Sequence, residues 1–434
     1  MFIKEIAKQI LPTSWKKQWH FLKEGLLLNP LFRTLFLRPA ININKLRNKD
    51  TIYVLFIAVS PSLWKADSLY RALRNHEQFY VDILVSPNQS IRDERLREEE
   101  MHRIKQFFDS REYLYHEWID NHGRSYIKQI PNLYDVVIYP QPYGGLVAKQ
   151  FDFNKNLRKY LICCEYAFHS GAQNWAYNKF YQNIAWIDCY ENDIVRQLSC
   201  KEKRNKGINS YTTGLPFVDE FTKEIYTSPW KYQDVPCKKI IWAPHWTIAE
   251  GGTDALNYSN FLKLADFMLE FARNQIGKIQ FAFKPHPWLK RELYEHTDWG
   301  QERTDAYYSA WEDGANTQLE QGEYVDLFMT SDAMVHDCSS FCCEYLLTGK
   351  PVFFMTRNEQ KQVSLLNEMA REAFYSQYLG TKVEDLQTFL RDQVIKENDP
   401  MMEKRKATVR KYLLPPNGKT AAENIIDVML GKLI

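Results

Sequence analysis

Three stretches in the second half of the chain end an apolar run in groups that can hold an anion. They are Pro244-His245-Trp246, Lys284-Pro285-His286-Pro287 and His336-Asp337-Cys338-Ser339-Ser340. An ammonium, imidazole N–H groups and hydroxyls can donate to phosphate oxygens and steady charge on a phosphate leaving group. The stretch "VHDCSSFCCEYLLTGKPVFFM", residues 335–355, predicts a strand, a break at 337–340, a helix to Gly349 and a second strand at Val352–Met355. A strand-to-helix joint has free amides and the positive end of a helix dipole, which suits phosphate. The plainer reading is an N-cap by Ser339 or Ser340. His245 also reads as a loop histidine, and Lys284 as a solvated edge charge. Asp337 cannot contact a phosphate directly and is expected to orient a histidine or the loop backbone. Glu344, in the first turns of the helix, is expected to cap the loop or to accept from a ribose.

In the first half, "YAFHSGAQNWAYN" sets His169 just after a predicted strand. Histidine is well suited to take a proton from a hydroxyl near neutral pH. The alternative is a cap on the following helix.

These residues need sheets to bring them together. "TIYVLFIAV", "YVDILVS", "YDVVIYP", "KYLICC" and "IAWIDCY" read as short buried strands, and "IRDERLREEEMHRIKQFFDS" reads as an exposed helix. A mixed-charge, proline-bearing segment at 222–238 reads as a linker. "KKIIWAPHW", "KIQFAFKPHP" and "SDAMVHDCSS" then continue as strands, with "NYSNFLKLADFMLEFARNQ" helical between the first two and "TAAENIIDVMLGKLI" a final helix. Alternating strands and helices imply parallel sheets, whose ligands lie beyond the carboxyl ends of the strands.

At 434 residues the chain is too long for one core, so two domains are expected. A net charge of +2 argues against a nucleic-acid partner. The 8 cysteines include the pairs Cys163-Cys164 and Cys342-Cys343 but no C-x-x-C, so zinc is not expected and buried free thiols in a reducing compartment are. No stretch reaches the about 18 apolar residues of a membrane span. Charges interrupt the N-terminal segment, which does not read as a signal peptide. In residues 1–40, Lys4, Lys8, Lys16, Lys17, Lys23, Arg33 and Arg38 outnumber Glu5 and Glu24 and are interleaved with aromatics. Such a segment either lies on an anionic membrane surface or packs as a helical arm on the body.

The ordered motifs His169-Ser170-Gly171, Gly214-Leu215-Pro216-Phe217-Val218-Asp219, Trp242-Ala243-Pro244-His245-Trp246, Lys284-Pro285-His286-Pro287, Asp337-Cys338-Ser339-Ser340 and Gly349-Lys350-Pro351-Val352 resemble the CDP-glycerol glycerophosphotransferase family of teichoic-acid and capsule poly(alditol-phosphate) transferases. The resemblance covers residues 130–430. It implies an α/β, GT-B-like fold, with two Rossmann-like doubly wound domains facing a central cleft, and no metal or cofactor. It implies a CDP-linked alcohol donor held mainly by the C-terminal half, with Ser339 and Ser340 on phosphate; the full expected donor-binding set is Trp242, His245, Lys284, His286, His336, Asp337, Ser339, Ser340 and Glu344, with Gly214 and Pro216 as further motif positions. His169 carries over as the base and His286 as the catalytic histidine near the donor diphosphate. The text H-S-G-A-Q departs from the family's H-G-T-P-x-K, D-C-S-S replaces D-Y-S-S, and Glu344 stands for a later aspartate.

The expected division is an N-terminal helical arm (1–48), an acceptor-side domain with the base (49–221), the linker (222–238), a nucleotide domain (239–400) and C-terminal helices (401–434) that pack back on the first domain. The expected function is transfer of an alditol phosphate, such as glycerol phosphate, to a hydroxyl of a surface-polysaccharide or lipid-linked acceptor with release of CMP. The expected location is cytoplasmic, peripheral on the inner membrane face. The alternatives are a glycosyltransferase using a nucleotide sugar and a non-catalytic nucleotide-binding scaffold.

Overall fold

The computed structural model describes residues 43–432, apart from 121, 123, 174–175 and 249–257. All of the basic arm before Ile43 lies outside the described residues.

The first half is a seven-stranded sheet of β1 (Ile52–Ala58), β2 (Phe79–Val85), β3 (Tyr115–His116), β4 (Val136–Tyr139), β5 (Tyr160–Cys163), β6 (Ile187–Tyr190) and β7 (Ser210–Thr212). The second half is a six-stranded sheet of β8 (Lys238–Ala243), β9 (Ile279–Phe283), β10 (Thr317–Leu319), β11 (Ala333–His336), β12 (Val352–Met355) and β13 (Tyr378–Gly380). The strand orders are β3-β2-β1-β4-β5-β6-β7 and β10-β9-β8-β11-β12-β13, and every pairing is parallel. In each half the order reverses beside the first strand, which is the doubly wound α/β arrangement. β4, β5, β6, β9, β11 and β12 are buried at every position. Helices covering both faces of a parallel sheet produce such continuous apolar runs. The short edge strands β3, β10 and β13 escape the sequence reading because so few residues carry no period.

The helix expected up to Gly349 is shorter than expected. It is an α-turn at Phe341–Glu344 followed by a 3₁₀ turn at Tyr345–Thr348, ended by Gly349 in the left-handed region at φ 72°. The helix expected near 360–373 divides into Glu359–Ser364 and Glu368–Phe374, each N-capped by an asparagine.

Register aligns the ends of the strands. Ala243 pairs with His336, and Trp242 with Phe283. Residues 244, 284 and 337 therefore leave the sheet at one edge. The last helix, Ala421–Leu430, belongs by packing to the first half: Ala422, Ile425, Val428 and Met429 join its core. Asp219 caps that helix by accepting from the amides of Ala421 (2.8 Å) and Ala422 (3.1 Å). A second apolar cluster crosses the seam, with Phe168, Tyr177 and Tyr190 against Cys342, Cys343, Leu366 and Met369.

Candidate active site

The second sheet presents its polar groups at one edge. The His245 amide donates to Asp337 Oδ1 at 2.6 Å, and the Asn260 amide to Oδ2 at 2.5 Å. Both carboxylate oxygens of Asp337 are thus engaged by backbone, so its role is to hold two loops together. Burial raises its carboxyl to about 7, against the pull of those amides. The rings of His245 and His286 meet edge to face at 5.2 Å. His245 Nδ1 faces the Thr247 hydroxyl at 2.9 Å and its amide at 3.4 Å. His286 Nδ1 accepts from the Trp288 amide at 3.1 Å. With Nδ1 accepting in both rings, the proton sits on Nε2, so each offers an N–H donor. Burial keeps both rings neutral: His245 falls to about 3, helped by His286, and His286 to about 4, helped by Lys284.

Lys284 Nζ donates to the Gly322 carbonyl at 2.8 Å. Burial lowers it to about 8, with Glu320 opposing and Lys65 adding to the drop. Ser340 stands at the N-cap with helical backbone angles and no side-chain cap bond; its hydroxyl meets Cys338 Sγ at 3.1 Å. The Ser340 hydroxyl is therefore not consumed in capping. Glu344 accepts from the Tyr324 hydroxyl and makes no described contact with a loop amide. Burial raises its carboxyl to about 7 while Lys65 and Lys284 pull it down.

The first half contributes His169. The Glu191 carboxylate grips it twice, accepting from its backbone amide (2.8 Å) and facing Nδ1 at 2.9 Å. Nε2 is buried, bonds to nothing among the described residues and lies 3.9 Å from Glu165 Oε1. Glu165 itself accepts from the Tyr143 and Tyr181 hydroxyls at 2.8 Å each. Burial alone would lower the imidazole, but Glu191, then Glu165 and Asp188, outweigh it and raise His169 to about 9. Among the described residues His169 caps no following helix; its Nδ1 faces Glu191 instead.

The two halves touch across the seam. Ala172 donates to the Leu365 carbonyl and Asn367 to the Ser170 carbonyl, at 2.9 Å each, and Gly171 bridges Leu366. The Asn367 side chain holds the His169 carbonyl. The Tyr166 hydroxyl, raised by burial to about 12, is influenced by Glu165 on its own side and by Glu344 and Cys338 on the other. Cys343, raised by burial and Cys342, likewise feels both Glu191 and Glu344.

Four expected site residues lie elsewhere. His336 is buried, with Nδ1 facing the Cys338 carbonyl (3.0 Å) and Nε2 facing Gln377 Oε1 (2.7 Å), so neither nitrogen is left for a ligand. Trp242 is a core residue, stacked on Phe261 at 5.7 Å. Gly214 holds φ +77° against Pro415, where a Cβ would come within 2.7 Å of that ring. Pro216 opens the turn that carries Asp219, and its carbonyl accepts from Ser68. Lys350 of the G-K-P-V motif donates to the Met329 and Ser331 carbonyls at the end of helix Val325–Thr330.

The sequence reading passed over Glu165, Glu191, Asn367, Tyr324 and Lys65. Glu165 and Glu191 follow β5 and β6 by one or two residues. An acid one or two residues past a buried strand is the signal the sequence offers for both.

The sequence profile of the CDP-Glycerol:Poly(glycerophosphate) glycerophosphotransferase family matches residues 205–431. No curated protein matches the chain. Among solved structures, a variant of the wall teichoic acid polymerase TagF aligns with TM-score 0.50 and 12% identity over 96% of this chain and 97% of that one. A UDP-N-acetylglucosamine 2-epimerase assigned to Listeria monocytogenes aligns with TM-score 0.53 and 14% identity over 88% of this chain and 96% of that one. At these identities the structural likeness speaks to the fold alone, and it agrees with two Rossmann-like halves. The profile covers more than half of the chain, including the edge that carries His245, Lys284, His286, Ser339 and Ser340, so the chain belongs to the CDP-glycerol:poly(glycerophosphate) glycerophosphotransferase family of transferases.

Proposed function

We propose that this GT-B-like cleft transfers an alditol phosphate, such as glycerol phosphate, from a CDP-linked donor to a hydroxyl of a teichoic-acid-type glycan or lipid-linked acceptor. The acceptor O–H gives its proton to His169 Nε2. The oxygen attacks the alditol-bearing phosphorus, the P–O bond to the nucleotide breaks, and CMP leaves with the bonding pair. His245, His286, Lys284, Ser339 and Ser340 donate to the diphosphate, and Asp337 positions the loop that carries His245. Phosphoryl transfer depends chiefly on such positioning and charge stabilisation.

The observation that carries this reading is the state of His169. Its Nδ1 is tied to Glu191, while its buried Nε2 bonds to nothing among the described residues, and the residues that follow it, 170–172, pair with 365–367 of the second half. A core histidine would satisfy both nitrogens, as His336 does.

Work at the inner face of a membrane fits a lipid-linked acceptor and the basic, aromatic residues 1–40. Among the described residues no helix is long and apolar enough to cross a membrane.

The test is incubation with CDP-glycerol, CDP-ribitol and a panel of UDP- and GDP-sugars, scored by nucleotide released. CMP from a CDP-alcohol is expected. Release of UDP or GDP would instead mean transfer at a sugar carbon, and no release from any donor would mean a scaffold.

A further inference from the structure

Lys65 belongs to the first half but reaches the second. It follows β1 on a loop pinned by buried Trp64, whose indole N–H donates to Asp67 at 2.9 Å. Its ammonium lies 3.8 Å from the centroid of the Tyr324 ring, across the seam. Lys284 Nζ lies 5.5 Å from the same centroid. Neither ammonium has a carboxylate within salt-bridge distance among the described residues, unlike the Arg111–Glu323 and Lys203–Asp188 pairs. Glu344, the anion that acts most strongly on Lys65, is held by the Tyr324 hydroxyl.

Two cations beside one aromatic ring repel each other. Burial lowers both, and Lys65 lowers Lys284 further. A tyrosine face eases the charge only in part. An anion with several charged oxygens would relieve the repulsion and engage both lysines.

We propose that Lys65 is a further donor-binding residue: with Lys284 it grips the diphosphate from the opposite half, so that donor binding ties the two halves together. This deepens the donor reading above and rests on it for the identity of the anion. The Arg111–Glu323 pair at 2.6 Å, also between the halves, favours the same approach.

Calorimetric titration of the full chain with inorganic pyrophosphate, and separately with CDP, tests it. Lys65→Met should weaken pyrophosphate binding on the order of ten- to hundredfold, and Lys65→Arg should keep most of it. Lys284→Met should weaken it similarly, and the double variant by less than the product of the two. Melting curves confirm that each variant is folded; if Lys65→Met is not, Lys65→Gln takes its place. Unchanged affinity in the folded Lys65 variant, or no pyrophosphate binding by the unaltered chain, would overturn the proposal. Pyrophosphate binding that depends on Lys65, with no CMP released from any CDP-alcohol, would uphold this site and sink the transfer reaction.

Discussion

His169 Nδ1 lies 2.9 Å from Glu191 Oε2, and the same carboxylate accepts from the His169 backbone amide at 2.8 Å. One acid thus fixes the ring's position, its tautomer and its basicity. In the proposed transfer reaction Glu191 would position the base.

Turnover should rise with pH. The base works from its neutral form, and His169 is raised to about 9, so the active fraction grows as pH climbs toward that value. Glu191→Gln keeps an acceptor but removes a charge. The acidic limb of the kcat profile should then shift to lower pH. A limb in the same place would show that Glu191 does not set the base.

Donor affinity should follow Lys284 in the opposite sense. Its ammonium is lowered to about 8, so positive charge is lost as pH rises through that region and binding of a diphosphate should weaken. Lys284→Arg, which stays charged, should flatten the dependence. His245 and His286, near 3 and 4, stay neutral from pH 6 upward and contribute nothing to the slope. Equilibrium titrations with CDP from pH 6.5 to 9.5 would measure it.

The hydroxyl pair can be tested by deletion. Ser340 caps no amide with its side chain, so Ser339→Ala and Ser340→Ala should leave the melting temperature almost unchanged. Each should weaken CDP about fivefold, the worth of about 1 kcal/mol for one hydrogen bond. Loss of stability with unchanged CDP affinity would return these residues to a purely local role.

The last helix makes a stability prediction. Asp219→Ala strips the cap from the amides of Ala421 and Ala422 and should cost about 1 kcal/mol in urea unfolding. Asp219→Asn keeps one acceptor and should cost less. Burial raises Asp219 to about 6, so its ionisation opposes folding. That contribution is absent below its ordinary value of 3.8 and grows as pH rises through 6, and Asp219→Asn should remove it.

The parts of this protein legible in its sequence are those set by local pattern. Long apolar runs such as Ile52–Ala58 and Ile279–Phe283 are buried strands, and parallel pairing carries the residues after them to one edge. Lys284, His286, His245 and Ser339 follow from that rule. His336 and Trp242 do not, because the last residues of a buried strand face its packed helices as readily as the cleft. Lys65, Tyr324 and Asn367 act by contacts between distant segments, and no local period records these. The α-turn at 341–344 gives way to 3₁₀ geometry although its composition reads as a longer helix.

The most direct test compares His169→Ala with the unaltered chain for CDP affinity and for CMP released from CDP-glycerol at saturating donor. The imidazole from the first half should matter only to proton removal, so kcat should fall by about 10²–10⁴-fold while CDP affinity stays within about threefold. If affinity for CDP collapses and the rate at saturation is unchanged, His169 is a donor contact, and the opposition of base and anion site across the cleft is wrong.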